Sequence, residues 1–322
     1  MRHVFFDAPF FYHLAPLSRN MVKLVKSNIK NVRKFVSLLD FYYFCAIIMD
    51  SSVENVEIYT KEVPKMCKTP HFSHFNKNKG MFNRTIIHEL KQWKERRDRK
   101  PLMMLGARQV GKTSVLKKFG EDSFEHCAYF SLDEEEGVCD IFRKTKNPQQ
   151  IIEQLSYLTS EPILPHKTLL ILDEIQDCPE AISAMKYFCE KTPEYAVACA
   201  GSLLGLAFGH QGFSFPVGKV DHMNMYPVTF SEFLEQRDAG LYQYYMSIDS
   251  LEPLPDVFFD RLSQAFTAYR ISGGMPAAAM KMIEKDLNGV ETTLRNILQD
   301  YSLDFVKHAT PLLANRISHV WR

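Results

Sequence analysis

The chain has no Cys-x-x-Cys pair, and its seven cysteines (Cys45, Cys67, Cys127, Cys139, Cys178, Cys189 and Cys199) are odd in number. That argues against a disulfide framework or a structural zinc site and reads as reduced thiols in a cytosolic protein. Long hydrophobic runs are missing too. The most apolar stretch, Phe35 to Met49, is interrupted by Asp40 and falls short of the about 20 residues a membrane span needs. A secretory leader opening at Met21, with Lys23, Lys26, Lys30, Arg33 and Lys34 ahead of that stretch, lacks a small-residue cleavage site. Nor is there an excess of one charge: 39 Lys and Arg stand against 38 Asp and Glu. The distribution is uneven, however. Residues 1–80 carry 12 basic and 6 acidic side chains, which leaves 27 and 32 for residues 81–322. The larger part is therefore not a general nucleic-acid binder. His71 and His74 have no Cys or carboxylate partner close by and read as loop residues rather than a metal pair. Pro70 to Gly80 reads as a linker.

What is present centres on Gly106-Ala107-Arg108-Gln109-Val110-Gly111-Lys112-Thr113. This is the spacing G-x-x-x-x-G-K-[ST], behind the apolar run Leu102 to Leu105 and ahead of helix-compatible Ser114 to Phe119. Polyphosphate binding needs a loop whose backbone N–H groups converge. Gly106 and Gly111 are expected to take angles closed to residues with a Cβ and to let phosphate come near. Lys112 reaches the β- and γ-phosphates, Thr113 ligates Mg²⁺, and Ser114 closes the nucleotide-binding stretch on a helix whose positive end faces the anion.

Before the loop, Ile86, Ile87, Leu90 and Trp93 stand at helical spacing, with Lys91, Lys94, Arg96 and Arg97 on the other side as a solvated face. After it, Cys127 to Leu132 reads as a buried strand. Asp133 to Glu136 reads as a solvated turn and helix start, where carboxylates suit the dipole. Pro148 to Tyr157 reads as a helix. Thr168-Leu-Leu-Ile-Leu-Asp173-Glu174 has the continuous apolar pattern of a strand covered on both faces, with acidic residues at the end where open α/β sheets hold ligands. Asp173 is placed to hold Mg²⁺ and Glu174 to polarise an attacking water. Tyr195 to Ala200 reads as another strand, ending in Gly201-Ser202 beside that acidic tip, and Val217 to Met225 as a further one. The expected fold is α/β: a five-stranded, mainly parallel sheet with helices on both faces. From Tyr226 the pattern turns helical, over Phe230 to Arg237, Pro255 to Tyr269, Met275 to Lys285 and Val290 to Phe305, broken at Gly273-Gly274. The organisation expected is an extension at 1–80, with Met81 as a second candidate start, a phosphate-loop core at 81–225 and a smaller helical lid at 226–322.

Several stretches together, among them Leu172-Asp-Glu-Ile-Gln176, Ala200-Gly-Ser-Leu-Leu-Gly205, Tyr226-Pro-Val-Thr-Phe-Ser-Glu-Phe233 and Gly273-Gly-Met-Pro276, resemble the prokaryotic AAA-type ATPases that carry a C-terminal domain of unknown function. The resemblance covers about Met81 to Arg322. It implies an AAA+ core with a helical lid, ATP and Mg²⁺ as cofactors, Glu174 as the water-polarising residue and Ser202 at the sensor position. It also implies a nuclease-like domain beyond Trp321, which makes this chain a truncated copy or a fragment, so nuclease activity is not expected. Arg270 and Arg316 are candidates for a lid sensor but read as ordinary surface or packing arginines. The adenine preference rests on this likeness alone; no guanine-reading Asn-Lys-x-Asp follows the core strands. Two outputs compete: ATP turnover that drives a conformational change, and a slow nucleotide-gated switch. A homo-oligomer stays open. A DNA partner rests only on the basic helix and the missing domain, and no membrane association is expected.

Overall fold

A computed structural model describes residues 81–202, 216–250 and 252–308, with positions 316, 317 and 319. The expectations for residues 1–80 lie outside the described residues, as does Leu203 to Phe215.

Helix α1 (Ile86–Glu95) forms where the apolar spacing places it. It buries Ile86, Leu90 and Trp93 on one face, and Trp93 anchors its far end by donating its indole N–H to the Lys100 carbonyl at 3.0 Å. The basic face is partly engaged with the protein itself: Lys94 Nζ donates to the Ser123 carbonyl at 2.5 Å, and Arg96 lies 3.9 Å from Asp221. Five strands follow in sequence: β1 (Leu102–Gly106), β2 (His126–Ser131), β3 (Thr168–Asp173), β4 (Ala196–Ser202) and β5 (Asp221–Met225). Their order across the sheet is β2-β3-β4-β1-β5, and every pairing is parallel. β4 thus separates the strand that feeds the phosphate loop from the strand that ends in the acidic pair. The last strand is shorter than its apolar pattern suggests and begins at Asp221.

The connections put helices on both faces, as an all-parallel sheet requires. α2 (Lys112–Ser123) follows β1. α3 (Glu136–Lys144), α4 (Pro148–Ser156) and α5 (Pro179–Lys191) follow β2 and β3. Alternation along the strands sorts the side chains. Leu102, Met104, Leu169, Ile171, Ala198 and Ala200 join one core with α1 and α2. Met103, Leu170, Leu172, Val197 and Cys199 join a second with α3, α4 and α5.

After β5 the described chain is helical: α6 (Phe230–Arg237), α7 (Ala239–Ser247), α8 (Asp256–Ser272), α9 (Pro276–Ile283) and α10 (Leu287–His308). α7 was not expected. Its Tyr-rich sequence shows little helical periodicity, and it forms because Asp238 caps it by accepting from Leu241 N at 3.0 Å, while Leu241 packs in a small cluster with Leu234, Leu262 and Ala265. α6 starts at a full capping box: Thr229 and Glu232 each accept from the other's backbone N–H. Tyr269, Met275, Ala278, Met282, Ile297 and Tyr301 belong to the same buried cluster as the first sheet face. The turn between α8 and α9 is tied to the chain after β5, where Val228 N donates to the Gly274 carbonyl at 2.8 Å and Tyr269 donates its hydroxyl to the Val228 carbonyl at 2.9 Å.

Candidate phosphate-loop site at the C-terminal edge of the sheet

Strand register collects the candidate residues at one edge. Gly106 is paired with Ser202 on one side and with Met225 on the other, and Asp173 is paired with Ser131. The loop from Ala107 to Gly111 leaves the sheet there and turns into α2.

The two glycines serve different ends. Gly111, at φ 92°, caps α2 from the left-handed region, as the sequence leads one to expect. Gly106 does not take a positive φ; it is the last residue of β1. A Cβ there would stand 2.3 Å from the Met225 carbonyl oxygen, so the close passage of β5, not an unusual dihedral, requires glycine. The second left-handed position in the loop is Gln109, at φ 61°.

Lys112 begins α2 and is buried. Its ammonium donates to the carbonyls of Gly106 at 3.2 Å and Ala107 at 2.9 Å. Burial holds its pKa below the usual lysine value, opposed by the charges of Glu174 and Asp173 and reinforced by Arg108. Thr113 donates its hydroxyl to Asp173 Oδ2 at 2.6 Å. Two stretches sixty residues apart in the chain are thereby brought into direct contact. Asp173 is buried and takes two further bonds, from Tyr129 OH at 3.2 Å and from Glu174 N at 3.0 Å. A buried carboxylate needs such partners. Burial, with the nearby carboxylates of Asp173 and Glu134 adding to it, pushes the Tyr129 phenol up to about 12, against a hydrogen bond from Ser131. The phenol therefore stays a donor to Asp173 at neutral pH.

Glu174 leaves β3 in the left-handed region, at φ 48° and ψ 45°, and opens a single 3₁₀ turn, Ile175–Asp177. That turn carries Gln176, which is buried, back under the site. Its amide donates to Glu174 Oε2 and accepts from Ser202 N at 3.3 Å. Sequence reasoning gave Gln176 no role. Its signals were its position two residues past the acidic pair and its place at the end of the Leu172 to Gln176 motif, and a turn rather than a helix is what aims it back. Ser202 itself is buried, and its backbone N–H is the donor to Gln176. Ser114 is exposed in the first turn of α2. Arg270 and Arg316 are exposed.

Three residues at the crest of the loop are held from elsewhere. The Arg108 carbonyl accepts from Tyr301 OH at 3.3 Å, Gln109 Nε2 donates to Asp300 Oδ2 at 2.7 Å, and the Val110 carbonyl accepts from Arg84 at 2.9 Å.

Residues 98–234 match the family model of an AAA domain. The match takes in the phosphate loop, the Asp173-Glu174 strand end and the capping box at Thr229. No curated protein matches the chain. Among solved structures, PCH-2 of C. elegans is 11% identical with a TM-score of 0.34, over 67% of this chain and 70% of that one. The ORC1 protein of Aeropyrum pernix, solved in complex with DNA, is 13% identical with a TM-score of 0.30, over 70% and 67%. AMPPCP-bound DnaA from Aquifex aeolicus is 15% identical with a TM-score of 0.32, over 69% and 66%. Likenesses at this level assign neither ligand nor partner to this chain.

Among the described residues, no group of three or more His, Cys, Asp or Glu is gathered to hold a metal. The donor set that does converge, one hydroxyl and one carboxylate, suits Mg²⁺, which keeps waters and takes phosphate oxygens as its other ligands. No described helix is long and apolar enough to cross a membrane.

Proposed function

We propose that the chain binds ATP at Gly106 to Ser114 and hydrolyses it with Mg²⁺ to ADP and phosphate. The single observation that carries this reading is the Thr113–Asp173 contact at 2.6 Å. A phosphate-loop hydroxyl and a strand-end carboxylate meet where one ion would touch both. Mg²⁺ would be held by Thr113 and Asp173 and would neutralise charge on the β- and γ-phosphates. The residues of the chain do the rest. Lys112 gives up the two loop carbonyls it now holds and donates to the phosphate oxygens, where positive charge stabilises the transition state. Glu174 orients a water in line with the γ-phosphate, and the Gln176 amide fixes the direction of its carboxylate. Ser202 N–H holds Gln176 in turn, so the β4 tip acts on the carboxylate through one side chain. On this reading the described helices α6 to α10 serve as a lid for the core at 81–225, and the protein works in the cytoplasm. The free thiols of Cys127, Cys139, Cys178, Cys189 and Cys199 are in keeping with that setting.

A second output, a nucleotide-gated switch, is favoured by the contacts of Asp300 and Tyr301 with Gln109 and the Arg108 carbonyl. A nucleotide settling into the loop alters what α10 holds. One experiment tests the hydrolytic reading: Glu174→Gln in the full chain, with phosphate release and Mg-ATP affinity both measured; the switch reading instead expects Mg-ATP to change the oligomer or lid state of this same variant. Turnover is lost and ATP stays bound if hydrolysis is the output. Unchanged phosphate release refutes the role of Glu174. No binding of Mg-ATP by the wild type refutes the nucleotide reading altogether.

A further inference from the structure

The most heavily bonded charged pair among the described residues lies beside the phosphate loop, and the chemistry proposed above does not use it. Arg84 and Glu232 have side chains 6% and 3% exposed, and Arg84 Nε donates to Glu232 Oε2 at 3.1 Å. Two further donors of the same guanidinium are spent on backbone: Nη1 on the Val110 carbonyl at 2.9 Å and Nη2 on the Tyr226 carbonyl at 2.5 Å. Glu232 is saturated as well. Its Oε1 accepts from Thr85 N at 2.7 Å and Thr85 Oγ1 at 2.8 Å, and its Oε2 accepts from Thr229 N at 3.0 Å. The pair binds four places to one point: the start of α1, the crest of the loop, the end of β5 and the cap of α6.

Its reach into the loop has a specific consequence. In a trans peptide the C=O and N–H point in opposite directions across one plane. Holding the Val110 oxygen on Arg84 therefore sets the Gly111 N–H facing away from Arg84. Val110 is fully buried, so its carbonyl has no water to turn to. The Val110–Gly111 plane leads into the Gly111 cap of α2, and the loop residue before it, Gln109, lies in the left-handed region. Glycine at 111 leaves that plane free to rotate. Without an outside hold, nothing in the residue itself prefers one direction of the N–H over the other.

We propose that Arg84 and Glu232 are positioning residues for nucleotide binding. The pair fixes the Val110–Gly111 peptide so that the Gly111 amide stays among the donors that cradle phosphate. Arginine is required because only a planar fork reaches a carboxylate and two carbonyls at once; lysine offers a single centre. This rests on the phosphate-binding reading above.

The full chain tests it, with Mg-ATP and Mg-ADP titrated by calorimetry and thermal melting run on each variant. Replacing a buried ion pair by apolar residues of similar size is often tolerated, whereas removing one partner is not. The informative variants are thus the paired Arg84→Met, Glu232→Leu change and Arg84→Lys, which keeps a positive charge beside Glu232 and loses the fork. Both are expected to melt below wild type, the paired variant by more because it also removes the α6 cap, yet to stay folded at the assay temperature and to bind Mg-ATP about tenfold or more weakly, a 1.4 kcal/mol effect. If the paired variant fails to fold, Arg84→Lys decides alone. Binding by a folded variant within about twofold of wild type overturns the proposal and leaves the pair as a structural ion pair. Lys112→Ala keeps the two ideas apart. If it loses Mg-ATP while the Arg84 variants keep it, only the clamp falls. If Lys112→Ala binds as wild type does, or the wild type does not bind, the phosphate-site reading falls and the clamp with it.

Discussion

Gln176→Met removes the amide that connects Glu174 to Ser202 while keeping the volume of the side chain. Gln176 is 6% exposed, so a cavity would confuse the result, and methionine avoids one. Two bonds are lost. The first is donated to a carboxylate, and a hydrogen bond to a charged group is worth about 1.5–3 kcal/mol. If its effect lies in the direction it gives the Glu174 carboxylate during attack, kcat falls by about 10- to 150-fold, at 1.36 kcal/mol per decade. The second leaves the Ser202 N–H buried without that acceptor and lowers stability by about 1–3 kcal/mol. The substrate meets neither group in the ground state, so KM changes little and kcat/KM drops with kcat. Steady-state phosphate release over a range of ATP concentrations, together with a melting curve, reads both numbers. A variant that loses stability and keeps kcat within about twofold refutes the reasoning. Gln176 would then serve only to shape the 3₁₀ turn that holds Glu174 at φ 48°.

Lys112→Ala is expected to weaken Mg-ATP binding by about 10- to 100-fold, since it deletes a charged donor to phosphate; calorimetry checks it. Gly106→Ala places a Cβ 2.3 Å from the Met225 carbonyl oxygen, and pushing β5 aside costs about 1–3 kcal/mol, read as a lower Tm with loss of nucleotide binding. Gly137 is the contrast: it sits in the first turn of α3 with nothing within 4 Å of its would-be Cβ, so Gly137→Ala raises stability by about 0.4–1 kcal/mol. Alkaline pH should destabilise the fold through thiols raised by burial, Cys127 to about 11 and Cys178 to about 12. A raised pKa means the folded state holds the proton longer, so this stability is whole below the unfolded thiol value of about 8.5. It is lost as pH climbs to the folded values, by up to about 1.4 kcal/mol per pH unit for the buried Cys178 and by less for the partly exposed Cys127, where solvent screens the effect. Cys178→Ala should flatten that decline in urea titrations run between pH 8 and 12.

The sheet was legible because its signal is local. Buried parallel strands are continuous apolar runs, and Thr168 to Asp173 reads that way without help from neighbours; all six of its residues are buried. The phosphate loop was legible for the same reason, being one contiguous stretch. What stayed hidden depends on residues far apart in sequence. Arg84 drew no attention in the sequence, and its three bonds come from partners 26, 142 and 148 positions away. Gly106 was given the wrong reason, because its demand for glycine comes from a carbonyl on β5 rather than from its own dihedral. α7 was missed because a capping aspartate and a tertiary cluster, not an amphipathic period, make it helical.

These long-range ties alter what should be regarded as the unit that builds the site. The segment matched as an AAA domain runs from 98 to 234, and it contains the loop, both acidic residues and Gln176. Yet the three residues at the loop's crest are each held by something outside it. Arg108 is held by Tyr301 and Gln109 by Asp300, both on α10, while Val110 is held by Arg84 ahead of α1. If the loop takes phosphate as proposed, its inner side must remain free, so its stiffness has to come from contacts such as those of the Arg108 and Val110 carbonyls and the Gln109 amide. A loop braced from behind at three successive residues loses little conformational entropy when phosphate arrives. The bracing elements also feel any shift the ligand imposes. On this geometry tight binding and outward signalling are not alternatives: the contacts that preorganise the loop are the ones through which α1 and α10 would register its occupancy.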